Sequence, residues 1–235
     1  MSLRSTISTA SGKQRYVRRL FATIADRYDL ITVLLSYGRD RTWKNRLIAL
    51  AELRADDRVL DLACGTGDIL FLAAAKARVA VGLDLTFRML QLAKAKRASA
   101  TLVTGDMLSL PFPSGHVSVV TTGYGLRNVP DLAQAIDEIA RVLAPGGRLL
   151  SLDFNRPAQP LLRAAYLTYL TVVGSAVGFV LHRDPDTYRY IPESIRNYPG
   201  AEGVARLLEQ RGFAGVKVVP LLGGLMAIHV ARRSG

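Results

Sequence analysis

The chain has 235 residues, 49% of them apolar, with 31 Lys and Arg against 19 Asp and Glu and a formal net charge of +12. Its length allows one large domain with an elaborated subdomain and a sizeable core. A single cysteine, Cys64, excludes an intrachain disulfide framework, and three scattered histidines without a cysteine pair give no metal-ligand pattern. Residues 1–50 hold ten Lys and Arg against three acids, an imbalance that nucleic acid or an anionic membrane surface would both explain.

Residues 1–12 are small and polar and are expected to be disordered, ahead of one domain over 13–235. Val17, Leu20, Phe21 and Ile24 recur at i, i+3, i+4 and i+7, so 13–27 reads as an amphipathic helix with Lys13, Arg15, Arg18 and Arg19 on its other face. A second helix over 43–53 completes an N-terminal helical segment, 13–53. Strands at 58–63, 79–84, 100–104, 117–123 and 148–154 then alternate with helices at 68–77, 86–97 and 131–143, and Pro145-Gly146-Gly147 is expected to close the last of these helices. Such alternation builds a parallel sheet covered on both faces, with ligands beyond the carboxyl ends of the strands.

From 161 to 181 runs an apolar stretch whose only charge is Arg163 and which contains Gly174-x-x-x-Gly178. By length it suffices to span a bilayer. A helix over 201–212 and strands over 216–220 and 225–231 follow, and a span would strand them on the wrong side of the membrane from their sheet. The stretch therefore reads as a helical cap (157–200) over a lipophilic pocket, with a span as the minority alternative. The fold class is α/β, Rossmann-like, with a mostly parallel seven-stranded sheet, N-terminal helices and a helical cap before the last two strands.

The run V-L-D-L-A-C-G-T-G-D, Val59 to Asp68, places the chemistry within the 58–154 core. A strand ends near Asp61, a Gly65-Thr66-Gly67 turn brings backbone close to a ligand, and a helix start follows with its unpaired N–H groups. A dinucleotide fingerprint needs a further glycine where Leu70 stands. Asp84 closes the next strand, and Asp106-Met107 follow the third. Acids at three successive strand ends suit a ligand with an amine, a ribose and an adenine, all of which S-adenosylmethionine carries. Asp61 would face the amine, Thr66 and Gly67 the methionyl part, Asp84 the two ribose hydroxyls, and Asp106 with Met107 the adenine. After the fourth strand, Gly123-Tyr124-Gly125-Leu126-Arg127-Asn128 brings polar groups to the site mouth, although Asn128 also reads as a cap for the helix near Asp131. Tyr188 and Tyr190 stand in the cap, where they would flank an aromatic substrate or simply pack a loop. His229, in the last strand, reads first as a core histidine.

The motifs G-Y-G-L-R-N-V-P, Y-R-Y-I-P-E-S-I-R, the closing G-G-L-M-A-I-H and the early F-A-T-I-A-D-R-Y-D, with the glycine turn, resemble the ubiquinone/menaquinone biosynthesis C-methyltransferase family from about Lys13 to Arg233. The resemblance implies a class I S-adenosylmethionine-dependent methyltransferase acting on a ring carbon of a polyprenylated quinol, either demethylmenaquinol or a methoxy-benzoquinol. Thr66, Asp84, Asp106, Met107 and Gly123 would be its cofactor contacts, joined by Asp61, Gly65 and Gly67 of the turn. The chain departs from the family at Thr32, at Leu108 and at Asp153-Phe154-Asn155-Arg156-Pro157. Arg127 is the expected phenolate-stabilising group, with Asp153, His229 or a water as base, and Tyr28, Tyr124, Asn128, Tyr188 and Tyr190 as substrate neighbours. A cytoplasmic enzyme held peripherally on anionic lipid accounts for the basic N-terminus, and a homodimer is left open. The rival readings are a nucleic-acid methyltransferase, which the charge favours and the lack of aromatic–basic interleaving opposes, a methyltransferase of another lipophilic metabolite, and a non-catalytic cofactor-binding scaffold.

Overall fold

The computed structural model describes residues 3–36 and 38–235. Helices α1 (Leu3–Thr6), α2 (Ala10–Ile24), α3 (Tyr28–Leu35) and α4 (Asp40–Leu50) precede the sheet. Disorder over 1–12 was expected, yet α1 and the start of α2 occupy 3–12, and residues 1–2 lie outside the described residues. Thr9 caps α2 by accepting from the Gly12 N–H at 3.2 Å. A Cβ on Gly12 would lie 2.1 Å from the Thr6 carbonyl oxygen, so only glycine lets α1 fold back on α2.

The core runs β1 (Arg58–Leu62), α5 (Asp68–Ala74), β2 (Val79–Asp84), α6 (Phe87–Lys96), β3 (Thr101–Thr104), β4 (Val117–Gly123), α7 (Leu132–Val142) and β5 (Leu143–Phe154). After it come α8 (Pro160–His182), α9 (Tyr190–Arg196), α10 (Gly200–Gln210), β6 (Phe213–Leu221) and β7 (Met226–Arg233). The seven strands lie in the order β3-β2-β1-β4-β5-β7-β6, parallel except where β7 pairs with β5 and β6. Strand order reverses between β1 and β4, which opens a crevice at their carboxyl ends.

Side-chain alternation along β1 sends Leu60 and Leu62 to one face, against Ile136 and Ile139 of α7 and Leu208 of α10. Val59 goes to the other, against Trp43 and Leu47 of α4 and Ile69 of α5. Both layers are fully buried at their centres, and each such leucine favours folding by about 2 kcal/mol through burial. Pro145-Gly146-Gly147 does not close α7. The helix ends at Val142, and the triplet lies inside β5, where Gly146 takes φ +73° and the register with β4 shifts.

The 161–181 stretch forms one helix, α8. A Cβ at Gly178 would come within 2.5 Å of the Asp184 carbonyl oxygen, and one at Gly174 within 3.3 Å of the Tyr188 Cβ. The small-residue face thus seats the 184–188 segment of its own chain. Leu161, Val172, Phe179 and Val180 on the opposite side are exposed.

Candidate active site

At the crevice two backbone positions are left-handed without being glycine: Ala63 after β1 (φ 51°) and Tyr124 after β4 (φ 60°). Such conformations cost about 1–3 kcal/mol and persist where the surroundings over-determine them. Here a buried hydrogen bond of 2.7 Å from the Tyr124 hydroxyl to Asp40 of α4 holds the ring in place. Gly65 (φ 52°) and Gly67 (φ 93°) shape the turn between β1 and α5, and a Cβ on Gly67 would strike the Phe71 ring at 2.5 Å. A Cβ on Gly123 would meet Ile69 at 2.6 Å.

Three hollows meet around Tyr28 and Tyr124, which line all of them. The first, about 730 Å³, is bordered by Gly65, Asp84, Asp106, Met107, Gly123 and Asn128. Asp84 accepts from the Gly65 and Thr86 N–H groups at 2.9 and 2.8 Å, yet burial outweighs them and raises its carboxyl above the usual range. Asp106 accepts from the Leu108 N–H at 3.0 Å and from the Gln14 side chain at 2.5 Å. The third hollow, about 300 Å³, holds Asp61, Thr66, Asp68 and Lys44. Asp61 is buried, with Oδ1 accepting from Thr121 at 2.8 Å and Oδ2 without a partner, and burial pushes its carboxyl up to about 7.

The second hollow, about 610 Å³, is apolar, with Ile24, Ile31, Leu35 and Ile191 among its walls. Among the described residues that line it, Arg127 is the one cation. Its guanidinium donates to Asp153 and to the Tyr124 carbonyl, both at 2.9 Å, and lies 4.7 Å from the Phe154 ring centroid, while its Nε has no partner. Desolvation works against its charge, but Asp153 wins and the arginine stays protonated.

Most of the residues singled out in the sequence converge here, and several do not. Tyr28, Tyr124, Tyr188 and Tyr190 line the second hollow. Gly67 lines none of the three and serves the turn. Asn128 does not cap α7. Asp131 does, accepting from the Gln134 N–H at 3.0 Å, and the Asn128 amide donates to the Tyr124 carbonyl at 2.7 Å. Asp153 stands behind Arg127 with both oxygens engaged, by Arg127 and by the Phe154 N–H. His229 lines none of the hollows either: it is buried in β7, its Nε2 is 2.9 Å from the Ala201 carbonyl oxygen, and burial lowers its pKa. Cys64 is buried beside the glycine turn, and burial pushes its thiol up, away from the thiolate form. The roof of the second hollow is α2, α3 and 187–191; the last belongs to the expected cap, 157–200, whose long helix α8 lines none of the three hollows.

Sequence reasoning missed Gln14, Val17 and Phe21 in the first hollow, and Lys44 with Asp40 beside the third. They come from helices far away in the chain, whose apolar period signals burial but not what is buried against them.

A seven-stranded sheet of this order, with a glycine turn after β1 and acids at the ends of β1 and β2 and after β3, defines a class I S-adenosylmethionine-dependent methyltransferase. A structure of this class from Thermotoga maritima, described as a possible histamine N-methyltransferase, superposes with a TM-score of 0.67 over 92% of this chain and 99% of that one, at 17% identity, a likeness of fold. The chain belongs to the ubiE/COQ5 methyltransferase family, whose model matches residues 9–233. A ubiquinone/menaquinone biosynthesis C-methyltransferase UbiE of Francisella philomiragia is 35% identical over 93% of this chain and 91% of its own length. A demethylmenaquinone methyltransferase of Thermus thermophilus is 39% identical over 91% of this chain and all of its own. The protein is thus a C-methyltransferase that uses S-adenosylmethionine.

Proposed function

We propose that the protein methylates a ring carbon of a reduced polyprenyl quinone, with demethylmenaquinol as the first substrate to test and the methoxy-benzoquinol of the ubiquinone route as the second. The observation that carries this reading is the apolar second hollow, which holds a buried arginine and shares Tyr28 and Tyr124 with the cofactor side of the crevice. The relatives' names, together with a wall fit for a prenyl tail and an aromatic head, support the substrate class.

The residues at the crevice fit S-adenosylmethionine. Asp61 offers an orphaned buried oxygen to an ammonium, Gly65 and Gly123 allow close backbone approach beside Thr66, Asp84 accepts from a ribose, and Asp106 with Met107 borders an adenine. The cofactor supplies an electrophilic methyl group. The chain's own part is to orient and desolvate the quinol. Arg127, held charged by Asp153, would stabilise the phenolate formed when the ring hydroxyl loses its proton. The electron-rich ring carbon would take the methyl as the methyl–sulfur bond breaks and S-adenosylhomocysteine leaves, and would then lose its own hydrogen as a proton, which restores the aromatic ring. Asp153 orients Arg127. The hydroxyl proton leaves to water, because His229 is walled off and burial raises the pKa of Tyr28, Tyr188 and Tyr190, so that none is an effective base.

The reading includes a cytoplasmic location with peripheral attachment to anionic lipid, supported by the charge of the first fifty residues and the exposed apolar side of α8. The test is transfer of labelled methyl from S-adenosylmethionine to each quinol in the presence of lipid. Methylated menaquinol is the expected product. Cofactor binding with no product from either quinol would overturn the substrate assignment.

A further inference from the structure

The third hollow contains a cation that the reaction described above does not use. Lys44, on α4, is buried with its ammonium between Asp40 (2.5 Å) and Asp68 (2.8 Å). Burial opposes its charge, but the two carboxylates prevail and hold it protonated. An ammonium has three N–H donors, and these contacts use two of them. Beyond them the ammonium faces the Tyr124 ring, 6.0 Å away, a weak competitor for a hydrogen bond, and Tyr28, which borders the same hollow. Across the hollow stands Asp61, 1% exposed, with Oδ2 buried and in no hydrogen bond of ordinary geometry, although the Leu70 N–H at the start of α5 is close enough to favour its charge. A buried acceptor without a donor is costly, and both groups border the same 300 Å³ beside Thr66 and the glycine turn.

We propose that Lys44 binds the α-carboxylate of the cofactor's methionyl end, completing with Asp61 a subsite for an α-amino-acid zwitterion. The charge balance selects a zwitterion over a simple anion. Lys96 also reaches Asp68 at 3.4 Å and Asp29 at 2.6 Å, so three carboxylates share two lysines on this wall. A lone anion would meet net negative charge there, whereas a ligand carrying a carboxylate for Lys44 and an ammonium for Asp61 answers both unfilled groups. This inference rests on the cofactor assignment and adds a residue from the N-terminal helices to it.

Titration calorimetry of wild type and Lys44→Met with three probes tests it: S-adenosylhomocysteine, decarboxylated S-adenosylmethionine, and 5′-methylthioadenosine. The variant is expected to weaken S-adenosylhomocysteine about tenfold or more, the scale of a hydrogen bond between charged groups, and the two probes lacking the carboxylate by no more than about twofold. Lys44→Met/Asp68→Asn removes one charge of each sign and serves if the single variant folds poorly, with the same pattern expected. Equal weakening of all three probes, or none for S-adenosylhomocysteine, would show that Lys44 is a structural ion-pair bridge and overturn the assignment. Wild type that binds none of the three would overturn the cofactor site itself and the subsite with it.

Discussion

Asp61 shows how a single buried oxygen sets a pH response. Its carboxyl, ordinarily near 3.8, is raised to about 7, chiefly by burial and against the Thr121 and Leu70 hydrogen bonds and the Lys44 charge. An acid raised on folding contributes stability that is fully present below its unfolded pKa and is lost as pH rises through the folded value. The ligand-free protein is therefore expected to lose melting temperature between about pH 4 and about pH 7 from this group, and Asp61→Asn to flatten that slope. Cofactor binding runs the other way, because an ammonium on Oδ2 needs the carboxylate. The affinity for S-adenosylhomocysteine is expected to fall about tenfold from about pH 7 to about pH 5.5, and not to fall in Asp61→Asn. A flat wild-type profile by calorimetry would place the ammonium elsewhere. The place of Asp61 at the crevice was legible in the chain because strand period and the glycine turn fix it near a carboxyl end. The same logic exposes Asp84 and Asp106. Lys44 was not legible, since its partner Asp68 lies 24 residues away on another helix and no local pattern announces that contact.

At the scale of elements, the N-terminal helices are the roof of the site. Lys13 of α2 donates to the Arg127 and Val129 carbonyls at 3.1 and 2.6 Å, and Gln14, Val17 and Phe21 face the first hollow. Burial, and then the nearby Arg127 charge, lowers the Lys13 ammonium to about 8. A charge held this far out of water is a weak clasp, so α2 is the natural element to loosen when ligands exchange. Arg15, Arg18 and Arg19 on its exposed side are trypsin sites. Saturating S-adenosylhomocysteine is expected to slow cleavage there about fivefold or more by favouring the state in which α2 is packed over the first hollow. Lys13→Met should speed cleavage of the free protein. Equal rates with and without ligand would mean that α2 moves independently of the site. The amphipathic period predicted α2 correctly as a helix, and the alternation of strands and helices placed α5, α6 and α7. It gave no sign of α3, and within the expected cap, 157–200, it did not separate α8, which lines no hollow, from 187–191, which does, because an apolar face looks the same in sequence whether it covers a pocket or faces outward.

The whole molecule is asymmetric in a way that the sheet alone does not explain. Among the described residues α8 is the one helix long and apolar enough to cross a membrane, and only 28% of its apolar window is buried. Its 23 residues span about 34 Å. The exposed stripe Leu161, Ala165, Thr168, Val172, Ala176, Phe179 repeats at helical spacing without a charge. Val177 and Leu181 of α8 share a cluster with Ile31 and Leu35 of α3, whose own outer side exposes Leu30, Val33 and Leu34. These two helices therefore present one apolar face beside the second hollow. Exposed Arg27 precedes α3, its charge felt by His182 at the end of α8, and exposed Arg39 and Arg183 stand in the segments after the two helices. An apolar face rimmed by cations suits the surface of an anionic bilayer, where a polyprenyl substrate resides. A span is disfavoured because β6 and β7, which follow α8, pair into the same sheet as the strands before it. Val172→Glu/Phe179→Glu removes two exposed apolar groups, each worth about 1.5–3 kcal/mol when buried in lipid, so co-sedimentation with phosphatidylglycerol vesicles should drop about a hundredfold or more. Affinity for S-adenosylhomocysteine should stay at the wild-type value, since neither residue touches the hollows. High salt should release the wild-type protein from these vesicles in part, through the arginine rim. Unchanged sedimentation of the variant would refute this face as the contact, and a concentration-dependent dimer that the variant abolishes would assign it to a second copy of the chain.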